Sequence, residues 1–190
     1  MALGILDDGK GITNDDLFEA MRYGSASSED QREDDDLGRF GLGMKSASMS
    51  QCRILTVASK SNEKIHAYTW DYDYIKAKED WILKEHTEDE LHQIPYIEKL
   101  NKQEQGTLVV WQNFDVIYKS SDGQVYETLN EYKQSVGDYI ALIFHRFLNA
   151  KGNNHINIFV TNAKISGLDP VLENHPKTTT KKEVSIALED

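Results

Sequence analysis

A chain of 190 residues with 39% hydrophobic content suits one globular domain, or one domain with a small appendage, and no stretch approaches the roughly 18 consecutive apolar residues of a membrane span. The formal net charge of -11 argues against general nucleic-acid binding, which needs cationic side chains to displace counterions from phosphates. No basic region followed by an apolar core marks a secretory signal, and the single Cys52 excludes an internal disulfide and fits a reducing, cytoplasmic setting.

The chain opens on a short apolar run, with Leu3 to Leu6 read as a core strand, followed by a turn at DDGKGI. A chain rarely starts inside a buried strand, so Met1 reads as a start placed within a longer sequence. Thr13 and Asn14 can cap a helix whose first turn carries Asp15 and Asp16, where negative charge favours the positive end of the dipole. That helix runs through Leu17, Phe18, Met21 and Arg22 and stops at Gly24. Ser25 to Asp36 holds no large apolar residue and reads as an exposed loop. Its Asp34, Asp35 and Asp36 are successive and do not converge easily on one ion, so a solvated run is expected there.

A glycine-rich stretch, LGRFGLGMKSASMSQC, then leads into a helix over Met44 to Met49 with Ala47 buried. Arg53 to Ser59 alternates as a strand, Lys64 to Tyr72 pairs with it antiparallel, and Tyr74 to Leu100 is irregular apart from a short strand near Trp81 to Leu83. Gly106 to Gln112 (GTLVVWQ) is a core strand. Apolar residues three and four apart from Val125 to Leu148 predict one long helix, or two with a break near Gly137. His155 to Val160 reads as a strand, followed by a tight turn over Thr161 to Lys164, an extended segment from Ile165 to Asp169 and a polar tail. The expected division is a domain over 1–148 and a transducer-like segment or flexible tail over 149–190.

Two glycine motifs share the N-terminal third: Asp7, Gly9 and Gly11 in DDGKGI, and Gly38, Gly41 and Gly43 in GRFGLGMKS. The second matches GxxGxG, but a polar loop rather than a strand precedes Gly38, which rules against a dinucleotide fingerprint. Together, in this order, with a polar segment between them and Gly106–Thr107 opening a later strand, the motifs resemble the GHKL superfamily of ATPases. That family includes DNA gyrase B, heat-shock chaperones, histidine kinases and MutL.

The resemblance implies an α+β fold, a two-layer α/β sandwich of the Bergerat type with a mixed, mostly antiparallel sheet and helices on one face. It implies ATP with magnesium as the ligand. It assigns Asp7 to the adenine amino group with Thr107 nearby, Gly9 and Gly11 to the backbone passing under the base, and Ile12 to the pocket wall. Gly38, Arg39, Phe40, Gly41, Leu42, Gly43, Met44 and Lys45 become the phosphate loop, Lys45 adding a mobile positive charge. Ser25 to Asp36 becomes the lid, whose closure on ATP accompanies dimerisation. GRFGLGMKSASMS and the helix, strand, turn and LDP order of the C-terminal half look closest to MORC-type and related bacterial members.

One expected part is absent from these residues. The first GHKL box lies on a helix ahead of DxGxG and supplies the general base and a magnesium-holding asparagine. Glu127 and Asn130 have the wrong spacing to replace it. The 190 residues alone are therefore expected to bind nucleotide weakly or not at all and to lack hydrolysis. A histidine kinase catalytic domain and a non-catalytic interaction module are the competing readings.

Overall fold

Alternation of β-branched and apolar side chains writes most of the sheet directly into the chain. The computed structural model describes residues 1–22, 43–122, 124–173 and 175–179. In chain order they form β1 (Ala2–Asp7), α1 (Asn14–Met21), α2 (Gly43–Met49), β2 (Ile54–Ser61), β3 (Lys64–Asp71), α3 (Tyr72–Lys78), β4 (Lys84–Glu85) and α4 (Ile97–Asn101). These are followed by β5 (Gly106–Gln112), α5 (Asp115–Ser120), α6 (Val125–Ile143), α7 (His145–Leu148), β6 (Phe159–Val160) and β7 (Ala163–Lys164). The division into two compact units falls at the start of α6, giving Met1–Val125 and Tyr126–Asp190.

In the first unit, five strands lie in the order β1-β5-β2-β3-β4 with every neighbouring pair antiparallel. β1 is thus an edge strand rather than the core strand expected, and Ile5 is 52% exposed. Its place follows from β5, which arrives a hundred residues later and inserts between β1 and β2. On one face, Leu55, Val57, Tyr68 and Trp70 pack with Leu17 and Met21 of α1 and Ile75 of α3. On the other, Ala58, Ala67, Leu108 and Val110 pack with Ile94, Ile97 and Leu100. The mixed α/β class with a mostly antiparallel sheet holds. The expected helix layer is joined by a second cover, built from the segment Glu88–Asn101 that the sequence had left irregular.

Local chemistry sets the helix ends. Thr13 Oγ1 accepts from the Asp16 amide at 3.3 Å, capping α1. Asp71 accepts from the Asp73 and Tyr74 amides at 3.0 and 3.1 Å, turning β3 directly into α3. Arg53 joins three elements: it pairs with Asp73 and Asp115 and lies 4.7 Å from the Tyr72 ring centroid. Burial on α2 is out of phase with expectation. Lys45 and Ser48 are buried and Ala47 is exposed, because Ser48 accepts from Trp111 Nε1 at 2.8 Å and Lys45 turns toward α1.

In the second unit α6 runs without a break at Gly137 and ends at Ile143, with α7 following Phe144. Gly137 leaves room for Ile165, whose Cδ1 would lie 3.4 Å from a Cβ there. Only Phe159–Val160 of the expected strand is extended in a ladder; it pairs with Ala163–Lys164. Leu168 N donates to Ala141 O at 2.8 Å, laying the LDP segment along α6.

Candidate functional site

The DDGKGI turn leaves the end of β1 at Asp7 and returns to the sheet at Ile12. Asp7 sits directly across from Thr107 of β5, and Thr107 directly across from Ser59 of β2. Residues facing each other across an antiparallel pair share a sheet face. Asp7, Thr107 and Ser59 therefore form a polar row across three strands, at one end of the face that carries Val57 and Val109.

Hydrogen bonds fix this row. Ser59, fully buried, accepts from the Ile12 amide at 2.8 Å. Its hydroxyl lies 3.1 Å from Gly106 O and 3.0 Å from Thr107 Oγ1. A serine has one proton and a carbonyl can only accept, so Ser59 donates to Gly106 O and accepts from Thr107, whose own lone pairs stay open beside Asp7.

Asp7 is exposed, and its Oδ1 accepts from the Gly9 amide at 2.9 Å. Among the described residues its second oxygen makes no hydrogen bond. The carboxylate is therefore oriented by the turn yet keeps an acceptor available to a ligand. Two glycines make the close approach possible. Gly11 has φ +69, and a Cβ there would lie 2.0 Å from Lys60 O. Gly106 has φ +142, and a Cβ there would lie 2.2 Å from Asp7 O. No other residue type fits either place without moving backbone. Ile12 is half-buried and packs against the cluster of Leu17, Met21, Leu55 and Val57.

Of the sequence-derived residues, Asp7, Gly9, Gly11, Ile12 and Thr107 come together here. Gly38, Arg39, Phe40, Gly41 and Leu42 lie outside the described residues, as does Ser25 to Asp36. Gly43 opens α2, Met44 is 37% exposed, and among the described residues nothing lies within 4 Å of a Cβ at Gly43. Lys45 requires a correction. It is not a mobile charge: its side chain is 1% exposed, and Nζ donates to Ala20 O at 2.9 Å and to Arg22 O. Burial lowers its pKa from the ordinary lysine value.

Sequence reading missed Ser59. A lone serine in RILTVAS looks like any small strand residue, and only the β2–β5 register reveals its partners. Cys52 is buried, and burial pushes its thiol up to about 11, leaving it a poor nucleophile. Among the described residues no group of three or more His, Cys, Asp or Glu could hold a metal ion, and no helix is long and apolar enough to cross a membrane.

No curated protein matches the chain. The model of a family described as histidine kinase-, DNA gyrase B-, and HSP90-like ATPase matches residues 1–107, more than half of the 190, and the chain therefore belongs to this GHKL-type family of ATP-binding domains.

Proposed function

We propose that the first unit binds ATP through the Asp7–Thr107–Ser59 row and that nucleotide acts as a conformational switch in a larger GHKL ATPase. The observation that supports this most is the register that pairs Asp7 with Thr107 at the sheet end. A carboxylate with an available oxygen accepts from the exocyclic amine of adenine, and Thr107, its proton held by Ser59, offers lone pairs beside it. Gly9 and Gly11 let the backbone lie under the base, and Ile12 supplies an apolar wall. A base lacking the amine would leave Asp7 without its donor, which is the source of selectivity.

The polyphosphate belongs along the glycine segment Gly38–Gly43, where bare peptide amides attract anions. No group of three or more His, Cys, Asp or Glu among the described residues could hold magnesium, and nucleotide-bound magnesium takes as few as one protein ligand beside the phosphates. In the resemblance that ligand and the general base both belong to the first box. Hydrolysis is therefore assigned to a chain that carries this box, and residues 1–190 alone are expected to bind weakly and not to turn over. Closure of Ser25 to Asp36 and dimerisation through this domain complete the switch. The order of helix, strand, turn and LDP after Val125 supports a MORC-type relation, and the unpaired thiol of Cys52 is in keeping with a cytoplasmic setting.

Calorimetric titration with ATP and magnesium tests this on residues 1–190 and on a chain extended upstream through the first box. The expected result is tighter binding and measurable hydrolysis only in the extended chain. Equal hydrolysis by both, or binding by neither, contradicts it.

A further inference from the structure

The helix after the second glycine motif carries a buried cation that is directed at another helix. Lys45 stands in the first turn of α2, and its ammonium donates to the carbonyls of Ala20 and Arg22 at the end of α1. The last carbonyls of a helix have no partner within it and carry the negative end of the dipole. α1 has no basic residue in its own last turn, and its cap residue Arg22 is occupied with Glu19 at 2.9 Å. A lysine from elsewhere in the chain thus supplies what this helix end lacks. Ala20 and Arg22 lie just before residues 23–42 and Lys45 just after them, so one side chain joins the two sides of that stretch. Burial of a charged group is costly unless it is hydrogen-bonded, and these carbonyls provide the bonds.

We propose that Lys45 is a positioning residue that locks the C-terminus of α1 to α2, and that it does not serve as a phosphate ligand. The lock couples the helix that follows DDGKGI to the helix that follows GRFGLG. Its anchoring role stands without nucleotide. Its consequence for phosphate binding rests on the proposed ATP site.

Two measurements on the nucleotide-free 190-residue chain test the anchor. Limited acylation read by mass spectrometry should label Lys45 at least about tenfold more slowly than the exposed Lys10, because the ammonium is hydrogen-bonded and buried. In Lys45→Met, which keeps length and loses the charge, amide exchange at Met21 and Arg22 should accelerate by about tenfold or more. Labelling of Lys45 at the rate of Lys10 overturns the proposal, as does unchanged exchange in a folded Lys45→Met. If that variant does not fold, the wild-type labelling decides. In a chain that binds ATP, Lys45→Met should weaken ATP without altering the salt dependence of its affinity. A reduced salt dependence would instead mark a direct phosphate contact and overturn the proposal. Absence of ATP binding would count against the ATP site and leave the labelling and exchange results to judge the anchor.

Discussion

The Ile12 amide donates to Ser59 Oγ at 2.8 Å, pinning the turn after the edge strand β1 to the central strand β2 across 47 positions of sequence. Because Ser59 also meets Gly106 O and Thr107 Oγ1, one hydroxyl fixes three backbone segments at the end of the sheet. Ser59→Ala leaves the half-buried Ile12 amide and the Thr107 hydroxyl without this partner. The expected cost is about 1–3 kcal/mol of unfolding free energy. Urea denaturation of the two chains checks it, and nucleotide affinity should fall alongside.

Gly11 and Gly43 separate the needs of the fold from those of the ligand. Gly11→Ala forces a side chain into a left-handed conformation and against Lys60 O, and should cost at least about 2 kcal/mol. Gly43→Ala meets no atom of the described residues within 4 Å and lies at the start of α2, so stability should hold or rise by up to about 1 kcal/mol. The added methyl would nevertheless crowd the amides expected to face phosphate, so ATP affinity should drop in Gly43→Ala while its thermal midpoint does not.

His86 gives the sheet edge a pH dependence. Its Nε2 lies 2.7 Å from Thr69 Oγ1, which lies 2.7 Å from Thr56 Oγ1, while Nδ1 is buried without a partner among the described residues. The neutral tautomer with Nε2–H donating to Thr69 leaves only a lone pair at Nδ1; protonation there would bury a donor with no acceptor. Burial first, then the nearby Lys84 charge, lowers its pKa from 6.5, with Glu90 opposing. The unfolded chain therefore binds the proton more readily than the folded one. This contribution to stability is complete above 6.5 and is lost as pH falls toward and through the lowered value. Urea midpoints across that window should decline in the wild type, and His86→Gln, which keeps a hydrogen-bonding group without titrating, should decline less.

Strands of the first unit with regular alternation were legible to within two residues, whereas the alternation over 155–160 gave a ladder only at Phe159–Val160. GTLVVWQ predicted β5 with its bounds, and the pairing of β2 with β3 followed from their shared pattern. The edge position of β1 was not legible, because it depends on which strand inserts beside it, a long-range choice that alternation does not encode. The same limit hid Ser59, whose role exists only through the register with Thr107. Lys45 misled for a different reason. A lysine beside glycines reads as a mobile cation, and the carbonyls that bury it lie across 25 positions of sequence. Asp7, Gly9, Gly11, Ile12 and Thr107, which the motifs singled out, lie together at the sheet end because motif and strand coincide there.

Asp7→Asn offers the cleanest change to the site, since Asp7 is exposed and its loss should move stability by less than about 0.5 kcal/mol. Replacing the charged acceptor should weaken adenosine binding by about tenfold or more. Saturation-transfer NMR, which detects weak ligands, compares adenosine with inosine, whose base lacks the exocyclic amine. Transfer to adenosine, markedly less to inosine, and loss of the difference in Asp7→Asn is the expected result. Equal transfer to both nucleosides in the wild type, or adenosine binding untouched by the substitution, would contradict it.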